Sequence, residues 1–209
     1  RSPDEAAETV KSVLESVAVP VIVTGHSHFA KINEVMKKFC EVTAGENCLI
    51  NYVETDNYKT IAAACIAYKH TLVAQSPIDV NLAKQLNILL ADMDFPRDRI
   101  VMDPLTSTLG YGIEYSYSVM ERIRMAAMTQ QDEKLQLPMI CNVGKEVWKI
   151  KEAKISQEEA PLLGDPLKRA ILLEAMTALL LLFAGGDILV MRHPDAVALV
   201  RGFIKDLMG

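Results

Sequence analysis

Residues 100–127 read "IVMDPLTSTLGYGIEYSYSVMERIRMAA", and they hold one complete unit of the fold. Ile100, Val101 and Met102 form a short apolar run that ends at Asp103-Pro104. Such a run, bounded by turn signals, fits a strand buried on both faces. From Ile113 the apolar residues recur at helical spacing, which predicts a helix over Ile113–Met128. The connection between them is longer than the roughly two to six residues that economy requires. It carries an acid, a threonine and a tyrosine set between two glycines. Gly110 and Gly112 permit positive φ and close backbone approach, and Tyr111 offers a flat apolar face with a hydroxyl at its end. A loop of this kind suits a large planar or amide-fringed ligand better than a bare phosphate. The bland alternative is a long helix entry packed by Tyr115 and Tyr117.

The same strand-to-helix unit recurs on either side. Strand-like runs are expected at Val19–Val23, Cys48–Val53, Thr71–Ala74, Arg99–Met102, Leu137–Val143 and Asp187–Met191. Helices are expected at Phe29–Val42, Tyr58–Lys69, Asn81–Asp92, Ile113–Met128, Pro166–Ala184 and Asp195–Met208. An orphan helix precedes them, started by Ser2 as cap, Pro3 in the first turn and Glu5 closing a capping box. The Val19–Val23 run is β-branched apart from Pro20, which predicts a strand covered on both faces. No hairpin signal interrupts the alternation, so the sheet is expected to be parallel with right-handed crossovers. No linker or low-complexity stretch divides residues 1–209, which are read as a single domain.

A dinucleotide-binding domain would show G-x-G-x-x-G after an early strand, and none occurs. Instead, polar residues follow each strand: Thr24-Gly25-His26, Glu54-Thr55-Asp56-Asn57, Gln75-Ser76-Pro77, Asp103-Pro104, Asn142-Val143-Gly144 and Arg192-His193-Pro194. A (β/α)8 TIM barrel keeps its functional groups at that end of its strands. The expectation is therefore an α/β barrel lacking its first two strands, with six of eight units present.

Composition excludes several classes. Half of the 209 residues are hydrophobic, 23% are charged and the net charge is −5, a globular composition without the basic character of a nucleic-acid binder. The longest apolar run, "ALLLLFAGG", falls well short of the ~20 residues a membrane span needs. With Arg1 opening directly onto a helix, the chain reads as a cytoplasmic protein cut from something longer. Cys40, Cys48, Cys65 and Cys141 lack C-x-x-C spacing and read as small apolar fillers rather than cluster ligands.

The strand-end runs converge on one polar rim. Asp56 and Asp103 are its best acid/base candidates, each with a structural alternative, Asp56 as a helix cap and Asp103 as a turn acceptor. His26, His28 and His193 invite a metal reading, but their spacing and the lack of an acid partner leave no metal assigned. An insertion, "GKEVWKIKEAKISQEEAPLLGDPLKRA", carries the only tryptophan, Trp148, and reads as a lid or subunit-contact arm. Its alternating Lys and Glu read as a solvated helix face.

Four segments taken together are familiar: "ETDNYKTIAAACIAYKHTLVAQSPIDVNLAKQLNILL", "RIVMDPLTSTLGYGIEYSYSVMERIRMAA", "GKEVWKIKEAK" and "GDILVMRHPDAVALV". They closely resemble the small (delta) subunit of the corrinoid iron–sulfur protein of the acetyl-CoA decarbonylase/synthase system. The resemblance runs over nearly the whole chain from about residue 19. It implies a TIM barrel of dihydropteroate synthase-like type that is paired with a larger subunit. That subunit holds the iron–sulfur cluster and binds the corrinoid (a cobamide). The small subunit's barrel mouth covers the corrinoid without catalysing the reaction, while methyl passes from a methyl-pterin methyltransferase to acetyl-CoA synthase. The residues expected to face the corrinoid are Asp56, Asn57, Gln75, Ser76, Asp103, Thr106, Gly110, Tyr111, Gly112, Asn142, Arg192 and His193. The alternatives are a stand-alone pterin-binding methyltransferase using Asp56, Asp103 and Asn142, and a docking platform built on Trp148.

Overall fold

The structure, a computed structural model, describes residues 2–25 and 29–209, without the side chains of residues 29–31, 107 and 108. Its elements run α1 (Pro3–Ser16), β1 (Ile22–Thr24), α2 (Phe29–Val42), β2 (Leu49–Val53), α3 (Tyr58–Tyr68), β3 (Thr71–Gln75), α4 (Val80–Ala91) and β4 (Ile100–Asp103). They continue with α5 (Ile113–Thr129), β5 (Ile140–Cys141), α6 (Val143–Val147), α7 (Lys151–Lys154), α8 (Pro166–Phe183), β6 (Ile188–Leu189) and α9 (Pro194–Met208). The chain forms two compact units.

The first unit is residues 1–76, 81–102 and 133–137. Its sheet has the strand order β1-β2-β3-β4, and β2 pairs in parallel with both β1 and β3. The register sets Ile22 beside Leu49 and Leu49 beside Thr71, with one irregularity between Asn51 and Val53. Leu72, Val73 and Ala74 of β3 are all buried, as a central parallel strand requires. Ile50 of β2, Ile61 of α3, and Leu86 and Leu90 of α4 are buried in the unit's core. α1 starts on the expected capping box: the Ser2 hydroxyl accepts from the Glu5 N–H at 3.2 Å, and Ser2 N–H donates to the Glu5 carboxylate at 3.0 Å. One expectation fails here. β1 is not covered on both faces, since only Val23 is buried while Ile22 and Val19 are exposed. Among the described residues β1 is the edge strand, paired with β2 alone, and an edge strand has less packed around it than a central one.

The second unit is residues 77–80, 103–132 and 138–209. Here β5 pairs in parallel with β6, and α8 packs against α5, α6, α7 and α9. The strand expected over Leu137–Val143 shrinks to two residues. Met139 N–H goes to the Asp187 carboxylate at 2.7 Å instead of continuing a ladder, and Val143 already opens α6. The Lys/Glu-rich insertion is two short helices rather than one, with a Lys149–Glu146 ion pair at 3.0 Å whose lysine is exposed. Among the described residues no helix is long and apolar enough to cross a membrane. Parallel β/α alternation is thus present in the chain.

Candidate functional site

In the first unit, the candidates stand just beyond β2 and β3. Asn57 is buried and occupies the cap position of α3, but its side chain turns back to accept the Glu54 N–H at 2.8 Å. Asp56 is exposed and is not the cap. Burial, and secondarily the Asp56 charge, push the Glu54 carboxyl above its ordinary range. Gln75 ends β3 and Ser76 follows it, both buried. Among the described residues the Ser76 hydroxyl has no partner. Neither does Oδ1 of Asn51, a buried β2 residue that the sequence reading missed; its amide donates to Thr24 Oγ1 at 3.2 Å. A buried polar side chain inside a parallel strand was the available signal. His26 and His28 lie outside the described residues.

In the second unit, the structure brings Asp103 and Asn142 together. Asp103 is 1% exposed; its Oδ2 accepts from Asn142 Nδ2 at 2.8 Å and its Oδ1 from Leu105 N–H at 2.9 Å. Ser116 Oγ then donates to the Leu105 carbonyl at 3.1 Å, so Leu105 is held at both its amide and its carbonyl. That grip matters because Leu105 has φ +66°, unusual for a branched residue and a form of strain that persists only where surroundings enforce it. Of the two glycines read as permitting positive φ, Gly112 uses it (φ +142°) and Gly110 does not. A Cβ on Gly110 would meet only Ile150, at 3.9 Å. Thr106 is buried, and among the described residues its hydroxyl has no partner. Tyr111 is 89% exposed, so the loop presents an aromatic ring to whatever meets it.

Beyond β6, Arg192 is exposed and His193 is half-buried, the latter accepting the Asp195 N–H at 3.2 Å on Nδ1 to start α9. Trp148 is not a free arm. It is half-buried, with Nε1–H donated to Glu174 at 2.7 Å, and the exposed apolar tip of the insertion is Leu162 instead. Glu174 itself was missed. Its signal was a single acid inside the apolar run "AILLEAMTALLLLF".

The four cysteines are buried and free. Burial pushes the Cys141 thiol up to about 12, and Cys48 and Cys65 are raised as well, Cys65 chiefly by its contact with Cys40. They pack as apolar groups.

A family model described as CO dehydrogenase/acetyl-CoA synthase delta subunit matches residues 1–204. Among curated relatives, the acetyl-CoA decarbonylase/synthase complex subunit delta of Methanosarcina mazei is 37% identical over 99% of this chain and 48% of its own length. The subunit of the same name from Methanopyrus kandleri is 38% identical over 94% of this chain and 48% of its own. That of Methanocaldococcus jannaschii is 32% identical over 99% and 50%. The chain thus spans about half the length of the curated relatives it matches.

Proposed function

The chain belongs to the CO dehydrogenase/acetyl-CoA synthase delta-subunit family, and on that premise we propose that it is the small subunit of a corrinoid iron–sulfur protein, its strand-end rim covering a corrinoid held by a larger subunit. The larger subunit carries the iron–sulfur cluster. A methyl-pterin methyltransferase delivers the methyl group and acetyl-CoA synthase receives it. The strand–helix units of both compact parts are read as six of the eight units of a dihydropteroate synthase-like barrel, and every described strand does run into a helix or turn that carries polar residues.

The residues present fit such a ligand. An amide-fringed macrocycle needs hydrogen-bonding groups and a flat contact, and the strand ends offer both. The buried hydroxyl of Thr106 lacks a partner among the described residues, an uncommon state for a buried polar group. The observation that carries the reading is the loop after β4. The Asp103–Asn142 pair and Ser116 lock its base, while Tyr111 at its tip stands almost wholly in solvent. A rigid base under an exposed aromatic tip is the form of a contact surface. When bound, the corrinoid supplies the cobalt that carries the methyl group. This chain's Tyr111 packs on the ring or reaches an amide, and its rim excludes water from that face.

The pterin-methyltransferase alternative needs Asp103 free to hold a pterin edge. Both Asp103 oxygens already accept hydrogen bonds from the chain, which favours a positioning role.

The test uses the full-length protein mixed with its large partner. Sedimentation should show a complex, and the complex should carry the visible absorption of a corrinoid. In stopped-flow cobalt methylation, Tyr111→Ala should slow the step by about tenfold, equivalent to ~1.4 kcal/mol of barrier, with assembly intact. Unchanged methylation in a correctly assembled Tyr111→Ala complex would reduce the loop to a helix entry.

A further inference from the structure

Glu174 is 0% exposed in the middle of an apolar helix, where an uncompensated carboxylate is strongly disfavoured. Compensation comes entirely from N–H donors. Its Oε2 accepts from Trp148 Nε1 at 2.7 Å and from the His193 backbone at 3.2 Å, and its Oε1 accepts from the Arg192 backbone. Hydrogen bonds to an ionised acceptor are among the stronger ones a protein makes. Gly144 closes the other side: a Cβ there would stand 2.7 Å from Arg192 N and 3.0 Å from Glu174 Oε1. The loop after β6 is thus gripped from two elements, α8 and α6.

That grip sets three side chains. Trp148 and His193 stack with ring centroids 5.9 Å apart and planes 16° from parallel. The Arg192 guanidinium carbon lies 5.0 Å from the centre of the Trp148 ring, within cation–π range. Arg192 is exposed, and among the described residues no carboxylate pairs with its guanidinium. A planar fork of donors held over an aromatic face, with its charge unspent, matches an oxyanion.

We propose that Glu174 is a positioning residue that builds an oxyanion-binding shelf from Arg192, Trp148 and His193 at the end of β6. The guanidinium takes the anion, and Glu174 acts only through the backbone and ring it fixes. The ligand chemistry is a phosphate- or carboxylate-bearing group. Its two sources rest on the function proposed above: the phosphodiester of the corrinoid's nucleotide loop, or the carboxylate tail of the methyl-pterin.

The experiment labels the full-length protein with 5-fluorotryptophan and follows the fluorine resonance of Trp148, assigned by loss in Trp148→Phe. One arm assembles it with its large partner loaded with cobalamin or, separately, with cobinamide, which lacks the nucleotide loop. The other adds 5-methyltetrahydrofolate to the unassembled protein. A shift seen with cobalamin but not cobinamide identifies the phosphodiester; a shift with the folate identifies the carboxylate tail. In either case Arg192→Gln should abolish the shift, and Glu174→Gln should abolish it with Arg192 still present. Should Glu174→Gln not fold, the exposed Arg192→Gln still decides the anion contact. A ligand shift that persists in Arg192→Gln, or no shift in either arm, overturns the shelf, and a wild-type shift in Glu174→Gln overturns the positioning role. An assembled complex without corrinoid absorption, beside an Arg192-dependent folate shift, would sink the proposed function and leave the shelf standing.

Discussion

His70 is fully buried and its ring nitrogens are both engaged. Nδ1 accepts the Cys48 N–H at 3.2 Å, so Nε2 carries the proton and donates to the Cys40 carbonyl at 2.9 Å, with Thr43 Oγ1 at 3.3 Å. This arrangement holds only the neutral ring, and burial pushes its pKa below the usual histidine value. The unfolded chain therefore binds a proton first as pH falls. Stability from this group is complete above about pH 6.5 and is lost below it, by at most ~1.4 kcal/mol per pH unit for one proton. Urea midpoints from pH 7.5 to 5 should fall in the wild type, and His70→Gln should remove that part of the slope; an identical slope in both proteins would refute the assignment. The rim glycines separate in the same residue-level way. Gly112, at φ +142°, occupies backbone space open essentially to glycine, so Gly112→Ala should cost ~1–3 kcal/mol. Gly110→Ala has open space and no positive φ, and should stay within ~0.5 kcal/mol. Equal losses in denaturant unfolding would count against this. Sequence showed that a glycine-permitted turn lay here. It could not say which residue bears the turn, because the Ser116 bond that holds the Leu105 carbonyl comes from 11 residues away.

At the scale of elements, β5 and β6 are two residues each, too short to persist as an isolated pair. A side-chain clamp takes over. Arg124 of α5 donates to the Gly185 carbonyl through Nε at 3.1 Å and also pairs with Asp187, whose Oδ2 accepts Met139 N–H. Asp187→Ala would strand that amide and should cost ~1–3 kcal/mol. Hydrogen exchange gives the readout: the Met139 amide should lose protection in the variant, and a still-protected amide would mean the backbone finds another acceptor. Helix periodicity and apolar runs are local properties, so α2 through α5 and α8 and α9 were legible in the sequence nearly to their ends. The edge exposure of β1 and the truncation of β5 were not. Each depends on what lies beside the strand: among the described residues one neighbour for β1, and a carboxylate 48 residues away in sequence for β5. Glu174 was hidden by the same cause. A lone acid in an apolar helix is conspicuous, yet only the fold delivers the three N–H groups that explain it.

At the scale of the molecule, the second unit leaves a broad apolar face uncovered. Leu172, Met176, Leu180 and Phe183 recur along α8 at spacings of three and four, and Leu199, Phe203 and Leu207 do the same on α9, all exposed. Phe183 and Phe203 meet edge to face at 6.2 Å, so the two rows form one continuous surface. Scattered apolar residues need no explanation, but a contiguous patch of this kind marks an interaction surface. The proposed assembly with a large subunit requires an interface of at least ~1,000 Å², and this two-helix face supplies contiguous exposed apolar side chains for one. Methionines placed on and off the face allow the point to be measured. Met176 is 61% exposed on α8, whereas Met128, equally exposed at 61%, lies on α5. Peroxide footprinting of the full-length protein, alone and with its large partner, compares the two at matched accessibility. Met176 oxidation should slow severalfold on assembly while Met128 keeps its rate. If both keep their rates in a complex that sedimentation shows to have formed, the partner sits elsewhere. The contact would then be confined to the strand-end rim proposed to face the corrinoid, where Tyr111 and Arg192 are exposed.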